Sequence, residues 1–328
     1  MTAIGCRSVL VALLACLAIA TGTRAMAQSY PNKPVRVVVP YPAGGGTDIL
    51  GRPIMARLSE RLGQQFLIDN RGGATGMLGT DLVAKAPPDG YTVLLSASPE
   101  LVLNQHVFKK MAYDVLKDLR PVTQVATTPT IIVSIPSFPA KTVKDVIELG
   151  RRHKGALTYG TTGIGSPHHV VGEMLRLRGK VELTHIPYKG GGPQVADTLG
   201  GHVIISIFTL PVVTPHVQSG RLRGIAVATP KRSPAVPQVP TMEESGFPGF
   251  DISQWFAVSV PRGTPDDVVR RLYAAVSEAM QVPEIRKRQL EQGYEPIGSP
   301  PEVFAPYLKG EIDKYGKLIK DTGIVLSQ

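Results

Sequence analysis

The 328-residue sequence predicts an α/β protein built as two lobes. Three observations lead there. Short β-branched runs alternate with helix-period segments. The alternation comes as two series, parted near residue 100, and strand–helix alternation means parallel sheets faced by helices. Each series carries glycine-rich turns between a strand and a helix. In such sheets ligands bind beyond the carboxyl ends of strands, and every unusual loop of this chain falls at such an end.

The first series opens with Val35 to Val39, a valine-dominated run suited to a buried parallel strand. Asp48 to Leu62 follows at mostly helical spacing through Ile49, Ile54, Met55, Leu58 and Leu62. Phe66 to Ile68 reads as a strand, Met77 to Ala84 as a helix and Tyr91 to Leu95 as a third strand. In the second series, strands are expected at Val122 to Val125 and Ile131 to Ile135. Thr142 and Asp145 form a capping box for a helix to Arg152. Strand Leu157 to Tyr159, helix Pro167 to Arg178, strand Val181 to Ile186, helix Gln194 to Leu199 and strand Val203 to Phe208 continue the order, and Leu222 to Ala228 is a further strand. The segment from Pro230 to Pro248 holds five prolines and cannot be regular helix or strand throughout. Trp255 to Val260 is the last strand. Two helices then start with the expected caps Thr264-Pro265 with Asp267 and Ser299-Pro300 with Glu302. The reading assigns residues 28–100 to lobe one, 101–225 to lobe two, and 226–328 to the completion of lobe one.

The N-terminus sets the compartment. Arg7, an apolar run from Val9 to Ala20 and Ala25-Met26-Ala27 make a secretory signal cut before Gln28. The run is too short for a membrane span, which needs about 20 apolar residues. Leu13-Leu14-Ala15-Cys16 loosely matches a lipoprotein box, but the apolar run continues beyond it to a good cleavage site. Both cysteines, Cys6 and Cys16, lie in the leader, so the mature chain has no disulfide, thiolate metal site or cysteine nucleophile. Removing 27 of 328 residues leaves 301, enough to bury its own core. The leader holds Arg7 and Arg24 and no acid, so the formal charge of +10 becomes +8. The basic residues are scattered and Trp255 is the single tryptophan, which lacks the aromatic-studded basic stripe of a nucleic-acid binder.

Four loops carry the chemistry. Pro40-Tyr41-Pro42-Ala43-Gly44-Gly45-Gly46-Thr47-Asp48 joins a strand to a helix. Its glycines expose N–H groups and the helix dipole adds positive charge, a setting suited to a carboxylate. Thr47 or Asp48 is the expected cap. The loop is neither a Walker loop nor a dinucleotide fingerprint. Tyr159-Gly160-Thr161-Thr162-Gly163-Ile164-Gly165-Ser166-Pro167-His168-His169 repeats the logic with three hydroxyls, and two such loops could face each other across a cleft. Pro187 to Pro193 adds Lys189, and Arg71 to Gly76 is either a fourth loop or a sharp turn. Catalytic patterns are weaker. His169 and Glu173 stand one helical turn apart without a third metal ligand, and there is no G-x-S-x-G elbow. No metal or cofactor is expected.

These residues resemble the Bug family of periplasmic solute-binding proteins, the receptors of tripartite tricarboxylate transporters. The resemblance runs from Tyr30-Pro31-Asn32-Lys33-Pro34 and the Pro40–Asp48 loop through Asn70 to Gly76, Pro88-Asp89-Gly90-Tyr91-Thr92 and the Tyr159–His169 loop. It goes on through His185 to Gly190, Gly200-Gly201, Pro237 to Thr241, and Trp255 with Pro261 to Pro265. It implies a two-lobed periplasmic binding protein of type II, non-enzymatic, monomeric and working with membrane permease subunits. The implied ligand is a small organic acid held by backbone groups and hydroxyls in the cleft between the lobes. By position, contacts fall to Tyr41, Ala43, Gly44, Gly45, Thr47 and Asp48, and across the cleft to Thr161, Thr162, Gly163, Gly165, Ser166 and His169. Ser96 and Ser98 are expected in the wall. Many relatives place Asp near the positions of Ile204 and Phe208; here the stretch is uncharged, which disfavours amino-acid ligands. The alternatives are an extracytoplasmic sensor with a signalling partner and a periplasmic enzyme.

Overall fold

The computed structural model describes residues 30–322 except residue 154. The expected signal peptide lies outside the described residues. Lys33 onward forms one compact unit.

Strand β1 (Val35–Val39) pairs in parallel with β2 (Phe66–Asn70) and β3 (Thr92–Ala97). Every valine of β1 is fully buried, as a strand covered on both faces requires, and Arg36 escapes by pairing with Asp69. Helix α1 (Gly46–Leu62) and α2 (Met77–Ala84) make the crossovers. After β3 come a π-helical turn, Pro99–Leu103, and two four-residue helices, none of them foreseen.

The strands expected at 122–125 and 131–135 are one strand, β4 (Leu119–Ser134). Its first part, Leu119 to Pro129, pairs antiparallel with β9 (Ser253–Pro261), which pairs in turn with β3. Its second part, Thr130 to Ser134, pairs with β7 (Ile205–Thr209) and β8 (Arg223–Val227). In that second half β5 (Thr158–Thr161) runs parallel to β6 (Thr184–Pro187) and β7. The strand order is therefore β2-β1-β3-β9-β4-β7-β5-β6. Pairing moves from one half to the other within β4, near Pro129.

The capping box at Thr142 and Asp145 forms on α3 (Val143–Arg152). Helices α4 (Pro167–Gly179) and α5 (Gly191–Leu199) follow β5 and β6. Sequence reading missed α6 (Leu210–Gln218), which contains Pro215. The proline-rich stretch forms neither helix nor strand. Helix α7 (Asp266–Gln281) has Pro265, not Thr264, at its cap: the Thr264 hydroxyl donates to Pro261 O at 2.8 Å instead. Likewise the Ser299 hydroxyl is buried without a partner before α9 (Pro301–Thr322). Helix α8 (Pro283–Gln292) and strand β10 (Glu295–Ser299) complete the chain, β10 pairing with β4. These two were also missed.

The main core runs through both halves, with Trp255, Tyr159 and Phe304 among its largest members. Trp255 meets Phe304 edge-on, and its indole N–H donates to Glu311 at 3.0 Å. Helix α4 lies so close to β5 that a Cβ at Gly172 would stand 2.1 Å from Tyr159 Cε2. Tyr159 is 1 % exposed and its hydroxyl is tied to Glu173 at 2.9 Å, so the ring has nowhere to go. Gly172→Ala is therefore expected to destabilise the protein by about 1–3 kcal/mol, although Ala is the better helix former. A urea midpoint equal to or above that of the parent would refute this packing.

Candidate functional site

The first helix-opening loop is braced from within. Helix α1 begins at Gly46, so Thr47 and Asp48 lie in its first turn and neither caps it. Asp48, 3 % exposed, accepts from Gly44 N at 3.0 Å, from Arg52 Nε and Nη2 at 2.8 Å each, and from Asn70 Nδ2 at 3.2 Å. Burial alone raises its pKa, but the Arg52, Gly44 and Asn70 bonds outweigh it, leaving the carboxyl below the usual range. Asp48 thus holds the loop and is not presented to a ligand. Gly44 supplies the left-handed turn, at φ +79°. The first-turn N–H groups at Gly46, Thr47 and Asp48 have no intrahelical acceptor. Tyr41 turns its hydroxyl to Glu100, 2.7 Å from Oε2.

The second loop is built the same way. Gly163 takes φ +139°, and its N–H donates to Thr161 Oγ1 at 3.2 Å. Ser166 caps α4 through His169 N at 3.1 Å and donates to Gly163 O at 2.8 Å. His169 Nδ1 accepts from Gly165 N at 3.3 Å, and its ring stacks on His185 with centroids 3.9 Å apart. His185 Nε2 sits 2.6 Å from Thr161 Oγ1. Thr161, Gly165, Ser166 and His169 therefore shape the loop from behind.

Facing both loops is a cleft in two parts. The inner pocket, about 30 Å³, has room for roughly one water molecule. Gly45, Gly46 and Thr47 line it from one side, Thr162 and His168 from the other, with Phe208, Thr209 and Gln254 behind. The outer cleft measures about 770 Å³ between Asn70 with Gly72 to Gly76 on one side and Thr162 to Ile164 with Pro187 to Gly190 on the other. The two parts share Tyr41, Thr162 and Gly190. The halves touch across the outer cleft, where Thr75 Oγ1 donates to Ile164 O at 2.8 Å. Lys189 is the charged side chain of the lining; no carboxylate is exposed in it.

Of the residues singled out in the sequence, Tyr41, Gly45, Thr47, Thr162, Gly163 and Phe208 line these cavities. Ala43 lies at the seam, its carbonyl 3.8 Å from where a Cβ on Gly192 would stand. Ser96 is buried in β3 near Ala257 O, and Ser98 is buried with an unpartnered hydroxyl; neither lines the cleft. Sequence reading missed His168, Thr209 and Gln254. They form a relay: Thr162 Oγ1 to His168 Nδ1 at 2.8 Å, His168 Nε2 to Thr209 Oγ1 at 3.0 Å, Thr209 Oγ1 to Gln254 Oε1 at 2.7 Å. Since Thr209 donates to Gln254, it accepts from His168 Nε2–H, and Nδ1 accepts from Thr162. The available signal was polar side chains at the ends of apolar strands. Which of two adjacent histidines faces the cleft is a matter of helix phase.

Among the described residues no group of three or more acids, histidines or cysteines could hold a metal ion. The His169–Glu173 pair is spent on the loop and on Tyr159 and Arg176.

Two lobes joined by crossing strands, with a cleft lined by glycine loops at strand ends, define a periplasmic-type solute-binding protein. The sequence profile of the tripartite tricarboxylate transporter family receptors matches residues 50–324, and the chain belongs to this family. It is 36 % identical to the protein BugT of Bordetella pertussis over 301 residues, 92 % of each chain. Among solved structures, an R. palustris protein with adipate is 37 % identical with a TM-score of 0.87, over 90 % of this chain and 99 % of that one. MatC of Rhodopseudomonas palustris, with bound malate, is 32 % identical with a TM-score of 0.84, over 88 % and 100 %. The periplasmic binding protein BugD aligns at a TM-score of 0.86 and 32 % identity, over 90 % and 99 %. The family is one of receptors, not enzymes.

The buried imidazoles set an acid limit. Burial pushes His168 down to about 3 and His169 to about 4; burial, then His169, pushes His185 to about 3. An unfolded histidine near 6.5 takes a proton that the folded one refuses, so stability falls as pH drops from 6.5 toward 4. Glu100, raised by burial to about 8, works in the opposite sense over this window, one proton against three. The thermal midpoint should fall between pH 6.5 and 4.5, and His168→Gln should lessen the slope. A flat midpoint over that range would show that the three rings are not held neutral.

Proposed function

We propose that this chain is a periplasmic receptor that binds a small organic carboxylate in the cleft and presents it to the membrane permease subunits of a tripartite tricarboxylate-type transporter. It acts as a monomer and has no nucleic-acid role. Export through the leader, with cleavage after Ala27, places it in the periplasm. The observation that carries the reading is the cleft wall itself. It gathers N–H-rich helix starts from both lobes around a space with one lysine and no exposed carboxylate. Transporter-receptor membership and the adipate and malate held by two relatives support the same ligand class.

The contacts assigned to the ligand are Tyr41, Gly45, Thr47, Thr162 and Gly163, with Phe208 closing the inner end. Phe208 is fully buried at the end of β7 and lines the inner pocket. Phe has no acceptor for an ammonium group, and none of the other lining side chains is an acid. This selects acids without an α-amino group.

A thermal-shift screen pairs organic acids with their amides. An acid at a hundred times its Kd should add about 2.7 kcal/mol of stability, and its amide should not. Stabilisation by a neutral solute or a metal, and by no acid, would sink the reading. Within the screen, succinate should outbind aspartate and glutarate should outbind glutamate; the reverse order would remove Phe208 as the selecting residue.

A further inference from the structure

Behind the cleft wall lies a carboxyl group that the ligand contacts do not use. Glu100 is the second residue of the π-helical turn after β3 and is fully buried. Its Oε1 accepts from Ala97 N at 2.7 Å, and its Oε2 lies 2.7 Å from the Tyr41 hydroxyl. It stands one layer from the ligand space. A Cβ at Gly76 would be 3.1 Å from its carboxyl carbon, and Gly76 and Tyr41 both line the outer cleft. No cation pairs with Glu100 among the described residues.

The neighbouring titratable groups are few. Tyr113 donates to the Glu100 main-chain oxygen at 2.7 Å, with Asp81 beyond it. His106 faces Ile312 O, and on α9 Glu311 is taken by Trp255 and Lys314 while Tyr315 reaches Ser253 O. None of them neutralises the carboxylate.

One hydrogen occupies the Glu100–Tyr41 contact, and two arrangements place it. If Glu100 is ionised, the Tyr41 O–H donates its hydrogen bond to Oε2, and the wall then backs the ligand with a negative charge. If Glu100 is protonated on Oε2, it donates to the Tyr41 oxygen, and the phenol hydrogen is released for another acceptor. Only the second arrangement leaves Tyr41 a hydrogen to give to a carboxylate in the cleft. We propose that Glu100 is a positioning residue that carries a proton whenever the receptor holds an anion, and thereby turns the Tyr41 hydroxyl into a donor to the ligand. Binding is then coupled to protonation, and by reciprocity the ligand tightens the proton on Glu100. Burial holds this carboxyl up at about 8, so the acid form predominates at neutral pH. The inference rests on the carboxylate-receptor reading for its ligand half only.

Two measurements test it. In protein labelled with 13Cδ-glutamate, with Glu100→Gln to assign the signal, Glu100 should show a protonated carboxyl at pH 7 that ionises at higher pH. Glu100 ionised at pH 7 both in the free protein and with adipate bound overturns the inference, because the proposal requires the proton whenever the anion is held. Next, the Kd for adipate is measured from pH 6.5 to 9.5. The parent should weaken by about tenfold, within the usual span of coupled equilibria, while Glu100→Gln, which can still donate to Tyr41, should stay flat. A slope kept by Glu100→Gln assigns the titration elsewhere and overturns the proposal. No adipate binding at any pH removes its ligand half together with the reading on which that half rests.

Discussion

The long strand β4 is the constraint on which the rest depends. Leu119 to Pro129 is hydrogen-bonded into one half of the molecule and Thr130 to Ser134 into the other. A strand so shared fixes the two halves in register, because slipping it by one residue would turn every core side chain outward. Its partners β9 and β7 carry Gln254 and Thr209, two members of the polar relay behind the inner pocket. The strand ends that bear the glycine loops, after β1 and β5, are positioned through β3–β9 and β7 respectively. The floor of the cleft is thus anchored to strands that β4 directly pairs.

An anion taken from water must recover its hydration from fixed donors, and loops rich in glycine are poor at staying fixed. The molecule resolves this by spending its side chains on the loops themselves. Asp48 locks the first through four hydrogen bonds, and Ser166, Thr161 and His169 lock the second. The histidines do this uncharged, because burial keeps the proton off. On the proposed reading, the main-chain N–H groups are left to meet the ligand.

Much of this was legible in the sequence. Valine-rich runs separated by helix-period segments gave the succession of strands and helices along the chain, but not their order in the sheet. The loops were legible because consecutive glycines after a strand have few uses. Strand β10 escaped because Glu295–Ser299 is half-exposed and holds a proline and a glycine, so it has no periodicity. Helices α6 and α8 escaped because Pro215 interrupts one and the other is largely polar with little apolar face. At the site, position in a motif identified the loops but not the direction of each side chain. Asp48 and Thr47 are adjacent, yet one braces the loop with a buried carboxylate while the other lines the pocket. That distinction depends on Arg52 and Asn70, one helical turn and one strand away.

If the main chain provides for the carboxylate, then the choice of ligand falls to the remaining walls. Phe108, Ile164, Tyr188 and Pro42 line the outer cleft and Phe208 and Val212 the inner pocket. These are apolar contacts without direction, so they discriminate by shape and by refusing unpaired charges rather than by hydrogen bonding. A receptor built this way can change its ligand by substitution at the walls while its anion-binding loops stay the same. The Thr75–Ile164 bond adds a condition on size, since it joins the Arg71–Gly76 stretch to the Tyr159–His169 loop across the outer cleft. On the proposed reading, an acid too long for the cleft breaks that bond and loses the contribution of a closed pocket. On that reading, length and polarity of the ligand's middle, rather than its charged end, are what these walls discriminate.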